Sequence, residues 1–422
     1  MFQKLNKIIR NPYTFSMVAK VYGVAVGFLF TIFQSRYLGA EIKGQVATVN
    51  SIIGITSIVF GMGIFHAYPY YKRNSTEDVM PIFLKIAVLM LLIYGGISAT
   101  VICFMHLSVE YSGVMILTPL LVYDGIISYI TQVEVPNKRS ATDLVIFTAE
   151  LVMMFLLWLL AKPSLVIGIA IIAAKDVAKA IVFTLWWRKR IFIPSESILV
   201  WIPKLLRFGF FPMLSLLMTT LNYRVDILML NGRVPDASIG IYSVGVLLAE
   251  RIWMIPDAMK GVMVSHLAKG KDANETSYVI RICNTVCLII VIGIITLGKP
   301  FIDFVFGPEY QGAYQVTLIL LAGVFSMIYY KLIASYNIAM GKQFISFVLL
   351  GIGVISNVIA NLILIPLMGI YGAGLASVIS YTICSAMFVV YFSWETGIPF
   401  TRMLFIDRND YSKLKAKLKK KA

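Results

Sequence analysis

Long apolar runs separated by short polar stretches dominate the chain. A helix needs about 20 mostly apolar residues to cross a bilayer. On that measure the pattern predicts twelve spans: 14–38, 44–71, 81–105, 112–133, 143–161, 164–187, 209–230, 238–264, 278–297, 314–340, 342–366 and 370–394. The fifth is the most polar, opening on Asp143 and carrying Glu150. The first run is longer than the roughly 7–15-residue core of a cleaved signal peptide, so a retained first span is expected. The predicted class is an all-α polytopic membrane protein.

The spans fall into two sets of six. Span seven begins 195 residues after span one (209 less 14), and spans eight and nine keep nearly the same offset from spans two and three. Six is even, so the halves run parallel, related by an axis along the membrane normal, as in transporters built from parallel repeats. The expected divisions are a six-helix lobe over 1–190, a cytoplasmic connector over 191–208, a second six-helix lobe over 209–394 and a basic tail over 395–422. In the connector, Ile198, Leu199, Ile202, Leu205 and Leu206 form an apolar stripe at helical spacing, which suits the headgroup layer or a plain tether.

Composition agrees. Of 422 residues, 59% are hydrophobic and 14% charged, against about 25% charged in a soluble domain. The net charge of +16 would suit nucleic acid, but loops on the cytoplasmic side of membrane proteins collect Lys and Arg, so no nucleic-acid partner is expected. Taken alternately, one set of connections and termini holds 24 Lys/Arg and the other five, namely Arg36, Lys43, Lys162, Arg233 and Lys299. That asymmetry predicts both termini in the cytoplasm. Cys103, Cys283, Cys287 and Cys384 all lie in apolar runs, as small buried hydrophobes do. No metal site and no cofactor is expected.

Eight cations fall where lipid-buried segments should be: Lys20, Lys85, Lys175, Lys179, Arg224, Arg251, Lys260 and Lys331. A cation at mid-bilayer costs roughly 2.5–3.5 kcal/mol on the mildest scale. Several are retained only if they line a wet cavity, pair with acids or meet an anionic cargo. The predicted outward loops are short, with no nucleophile–base–acid set, no phosphate-cradling glycine motif and no filter-like repeat, so neither an enzyme nor a channel is predicted. A carrier is left.

The order of short motifs along the chain resembles the polysaccharide transporter branch of the multidrug/oligosaccharidyl-lipid/polysaccharide exporter superfamily, the Wzx-type O-antigen flippases. These motifs are Arg36-Tyr37-Leu38-Gly39 with Gly44; Phe208-Gly209 with Pro212; Asp226 with Met229-Leu230; Gly240-Ile241-Tyr242-Ser243 with Glu250 and Pro256; Phe306-Gly307-Pro308-Glu309-Tyr310; and residues 366–377, from Pro366 to Ser377. The resemblance implies two six-helix lobes forming a V around a central cationic cavity, with alternating access. It implies a cargo of oligosaccharide linked through pyrophosphate to a polyprenol, moved to the outer leaflet, with membrane lipids and a glycan-polymerase complex as surroundings. Multidrug/cation antiporters and the lipid II flippase are relatives of the same fold and stand as alternatives.

Pyrophosphate is best met by Arg forks and Lys point charges. The candidate cargo contacts are therefore Lys20, Arg224, Lys331, Arg251, Lys175 and Lys179. Lys20 suits either the cavity or a snorkelling role at the interface; Lys85 and Lys260 suit the interface. Lys331 is too deep in its span to snorkel easily. Arg224 and Asp226, two residues apart, point away from each other, which suggests Asp226 as an inter-helix lock and Arg224 as the cargo contact. Glu250 would reach Arg224 or Lys331. Asp176 can pair with Lys179 three residues on. Asp124 and Glu150 either carry a coupling proton or sodium, or pair with Lys20 or Lys175. Asn357 and Asn361 share one face, for sugar or for interhelical hydrogen bonds.

Overall fold

The computed structural model of the protein describes residues 12–267 and 273–406. The described residues are helical, without strands. In chain order the helices are α1 (Pro12–Gly61), α2 (Ile64–Asn74), α3 (Met80–Met105), α4 (Val109–Glu134), α5 (Pro136–Leu160), α6 (Leu165–Ile191) and α7 (Ile198–Leu230). They continue with α8 (Asp236–Glu250), α9 (Met254–Leu267), α10 (Ala273–Val305), α11 (Gly312–Ala339) and α12 (Gln343–Thr396). Short 3-10 turns occupy Arg251–Trp253, Pro308–Tyr310 and Phe400–Met403.

Among the described residues, nine helical stretches are long and apolar enough to cross a membrane, and the protein is a multi-pass membrane protein. Two of these stretches, Val21–Asn74 and Gln343–Thr396, are 54 residues each. Gln343–Thr396 is broken by Gly369 at φ 55°, and Val21–Asn74 by Gly39 at φ 70° and again near its end at Gly63, φ 64°, between α1 and α2. Side chains with a Cβ rarely adopt such angles, so glycine lets the chain change direction within a single residue. The turn at Gly39 replaces the outward loop expected around 39–43. Lys43, counted there as a loop cation, instead lies buried in α1 and donates from Nζ to Gln34 Oε1 at 2.5 Å. Helix α6 is not among the nine, because any long window of it includes Lys175, Asp176 and Lys179.

The chain divides into two compact units, Met1–Thr220 and Leu221–Ala422, and the division falls inside α7. In the first unit α4 is the most buried candidate span. Around it Ile126, Ile127 and Ile130 pack with Phe83, Ile86 and Phe183. The start of α7 is part of this core. Trp201 and Leu205 are buried, whereas Leu199 is 78% exposed, so the packed edge of the connector stripe centres on Trp201 and Leu205. In the second unit α11 is the most buried span. It packs beside α12, where small residues such as Ala373, Ala376 and Ser377 are fully buried, the composition expected where helices approach closely in lipid.

The predicted eighth span is not one helix. It passes through the 3-10 turn Arg251–Trp253 ahead of Pro256. Proline lacks the N–H that would bond four residues back, and the turn absorbs that loss.

Candidate functional site

Two groups of charges stand inside the helices, one in each unit. In the second unit, Lys331 projects from the middle of α11 and is 7% exposed. Its ammonium lies 3.2 and 3.3 Å from the two carboxylate oxygens of Asp257 on α9. It also lies over the rings of Trp253 and Tyr223, at 4.6 and 5.6 Å from their centroids. The Trp253 ring is fixed by its N–H, which donates to the Val324 carbonyl at 2.9 Å. Asp257 accepts a second cation, Lys260, at 2.7 Å, and its side chain is 45% exposed. One accessible carboxylate therefore bridges two lysines, one of them buried on an aromatic platform. Sequence reasoning placed Lys331 and Lys260 but missed Asp257; its three-residue spacing to Lys260 was the available signal.

Arg224 on α7 faces Glu250 at the end of α8, Nη2 to Oε2 at 3.6 Å. Asp226 faces the other way. It is 2% exposed and accepts from the Tyr242 hydroxyl, from Ser377 Oγ at 3.2 Å and from the Ile227 amide at 2.8 Å. The same seam between α7 and α12 holds Ser380, which donates within reach of Asn222 Oδ1 and the Gly353 carbonyl, both at 2.8 Å. Asp226 thus ties α7 to α8 and α12. Arg251 opens the 3-10 turn that follows Glu250. Asn357 and Asn361 are fully buried and bond to each other within α12, Asn361 Nδ2 to Asn357 O at 3.0 Å.

In the first unit, α4, α5 and α6 bring together Asp124, Asp143, Glu150, Asp176, Arg139, Lys175 and Lys179. Lys175 and Lys179 lie 4.0 and 3.8 Å from Asp176 Oδ1. Arg139 Nε lies 3.6 Å from Asp143 Oδ2. Asp124 is 8% exposed and accepts from Ser128 Oγ at 3.1 Å, with Lys179, Asp176 and Arg139 within electrostatic range. Glu150 feels Lys175, Asp176 and Lys179 in the same way. Lys179 also lies over the Phe147 ring at 5.7 Å. Asp143 and Arg139 are members that sequence reasoning did not single out.

Lys85 stands apart from both groups. Its ammonium donates to the Ile193 carbonyl at 2.7 Å and to Ser195 Oγ at 2.8 Å, pinning the segment after α6. Lys20 lies on α1 but its side chain is outside the described residues, as are the tail lysines from Lys413 on.

No family profile matches the chain. It is 24% identical over 395 residues to an uncharacterized membrane protein of Methanocaldococcus jannaschii, covering 86% of this chain and 93% of that one. Its fold is similar to that of lipid II flippase MurJ in an inward closed conformation. The TM-score is 0.71 and the identity 17%, over 92% of this chain and 89% of the flippase. It is also similar to an inward-facing MATE-family multidrug resistance transporter of the MOP superfamily, at TM-score 0.60 and 14% identity over 90% and 98% of the two chains. A MOP-superfamily transporter from Pyrococcus furiosus, described as having a binding pocket of reverse polarity, matches at TM-score 0.59 and 14% identity over 93% and 97%. The chain therefore shares the fold of these solved structures.

Proposed function

We propose that the protein is a flippase that carries polyprenyl-pyrophosphate-linked oligosaccharide from the cytoplasmic to the outer leaflet by alternating access. In this reading the chain crosses the membrane twelve times. The nine apolar stretches supply eleven crossings, because the two broken by Gly39 and Gly369 each cross twice, and α6 adds the twelfth.

The observation that carries the proposal is the Lys331–Asp257–Lys260 bridge. A buried lysine is costly unless it has an anionic partner. Here the partner is a carboxylate nearly half open to its surroundings. Asp257 holds, between the two lysines, the place that a pair of phosphate oxygens would take. Cargo pyrophosphate exchanges with it, and the carboxylate returns when cargo leaves, so Lys331 is never left without an anion. Arg224, held by Glu250 at 3.6 Å, is the second anion contact, and Asp226 is the lock that keeps α7, α8 and α12 in register. The similarity to a lipid II flippase supports a lipid-linked cargo. An inside-negative potential favours the direction: two negative charges moved outward through 100 mV release roughly 4–5 kcal/mol.

The test is flipping of a fluorescent polyprenyl-pyrophosphate glycan in vesicles. Lys331→Ala and Arg224→Ala should each cut the protected signal by about tenfold or more while the protein elutes and melts as wild type does. Full activity in both variants rejects the reading.

A second reading, a proton-coupled antiporter, is favoured by the first unit, where Asp124, Asp143, Glu150 and Asp176 outnumber Arg139, Lys175 and Lys179. On that reading Asp124→Asn removes drug efflux driven by a pH gradient. On the flippase reading it leaves glycan flipping in place when only a membrane potential is imposed.

A further inference from the structure

At one end of the first unit, where α4 gives way to α5 and α6 ends, lies a cavity of about 420 Å3 lined by Val135, Lys138, Trp186 and Trp187. It shares no residue with either charge group. Its volume falls within the roughly 300–1,000 Å3 of small-ligand sites.

The two indoles are held in place. The Trp187 N–H donates to Thr131 Oγ1 at 3.0 Å. Trp186 packs on the buried ring of Phe183, with centroids 5.5 Å apart. Trp186 is 41% exposed, and its N–H has no partner among the described residues. The Lys138 ammonium has none either. Three acids at this end are already engaged: Glu134 with Lys72 and Tyr68, Asp78 with Arg190 at 2.6 Å, and Asp143 with Arg139. Lys138, Arg188 and Lys189 therefore stand without an acidic partner among the described residues, and the local field is positive. Tryptophan at the ends of membrane-crossing helices sits at headgroup depth, with its ring against acyl chains and its N–H toward polar groups.

We infer that this cavity binds the phosphate of an anionic phospholipid from the surrounding leaflet, with the Lys138 ammonium and the Trp186 N–H as donors and the indole faces against the glycerol and upper acyl chain. A free phosphate would use the same donors but leave both indole faces without a partner. A choline headgroup would bring a cation toward three unneutralised cations. The inference rests on the protein spanning a membrane and does not depend on what it transports.

The test uses the full chain reconstituted in mixed phosphatidylcholine and phosphatidylglycerol vesicles, with one lipid or the other brominated near the headgroup end of its acyl chains. Tryptophan quenching is compared at equal mole fraction, with Trp186→Phe defining the share due to Trp186. Brominated phosphatidylglycerol should quench that share about fivefold more effectively than brominated phosphatidylcholine, the ratio expected for one lysine at an anionic surface. Lys138→Gln should bring the ratio close to one with elution and melting unchanged. Trp186→Phe leaves the Trp187–Thr131 bond intact, so the protein should keep its fold. Equal quenching of the wild type by both lipids overturns the inference. So does a preference that survives Lys138→Gln, or one abolished by excess inorganic phosphate, which would mark a free-anion site.

Discussion

In the first unit the most buried span, α4, carries an acid, Asp124; in the second the most buried span, α11, carries a base, Lys331. In the proposed twelve-span arrangement these would be the fourth and tenth spans. The partners differ as much as the signs. Within the charge group of α4, α5 and α6 the ion pairs are local, Lys179 with Asp176 three residues away and Arg139 with Asp143 four residues away, whereas the long-range pairs of this unit, Lys72–Glu134 and Arg190–Asp78, lie outside the group. In the second unit Lys331 meets Asp257 across 74 residues of chain, from another helix, and Arg224 meets Glu250 from the next helix. A local pair travels with its own helix and survives any shift of that helix. A pair between helices opens when they shift, and it opens with a charge exposed. On the proposed reading, exchange with an anion belongs to the second unit, and the group of α4, α5 and α6 keeps its local pairs.

Four measurements break or sharpen that contrast. The largest effect is expected for Lys331→Ala, which should cut glycan flipping by roughly 10- to 100-fold, the equivalent of one charged hydrogen bond; Lys179→Ala should stay within about threefold, as expected for a local pair. Equal losses in the two variants would erase the distinction between the units. Next, Asp226→Ala leaves the Tyr242 and Ser377 hydroxyls without their acceptor, at about 2 kcal/mol. Thermal melting should show that loss, while Asp176→Ala, at a locally paired site, should cost about 0.5 kcal/mol. A smaller effect is expected for Asp257→Asn. Removing the competing charge should tighten cargo binding up to about fivefold, the scale of a partly exposed pair, and slow release, so the apparent KM and the maximal rate should fall together. A rise in KM would mean that Asp257 holds cargo instead of standing in for it. The smallest is Lys85→Met, which frees the segment after α6 and should change flipping by less than about twofold, because its lost bonds lie outside both groups.

The helical class, the multi-pass character and most helix positions were legible in the sequence because apolar run length is a direct signal of a crossing. The eight cations set in apolar runs were legible for the same reason, as breaks in that signal. Partners across helices were not. Asp257 sits in a stretch that the 3-10 turn at Arg251–Trp253 re-aims toward Lys331, and no spacing rule predicts that rotation. The local pair of Asp176 and Lys179 needed only helical periodicity. Lys43 went the opposite way: a charge next to glycines looked like a loop residue, but Gly39 alone makes the turn, and Lys43 lies buried in the helix that follows.

Helix α7 hands the chain from one compact unit to the next without a loop. A flexible linker would let each unit move while the other stayed still. A continuous helix has no such loop, and its ladder of hydrogen bonds is interrupted at Pro203 and Pro212. Both prolines precede Arg224 on the same helix, and Arg224 and Glu250 belong to the same compact unit, so a bend at either proline carries the guanidinium and its carboxylate together and leaves their 3.6 Å pairing to be opened only by a shift of α7 against α8.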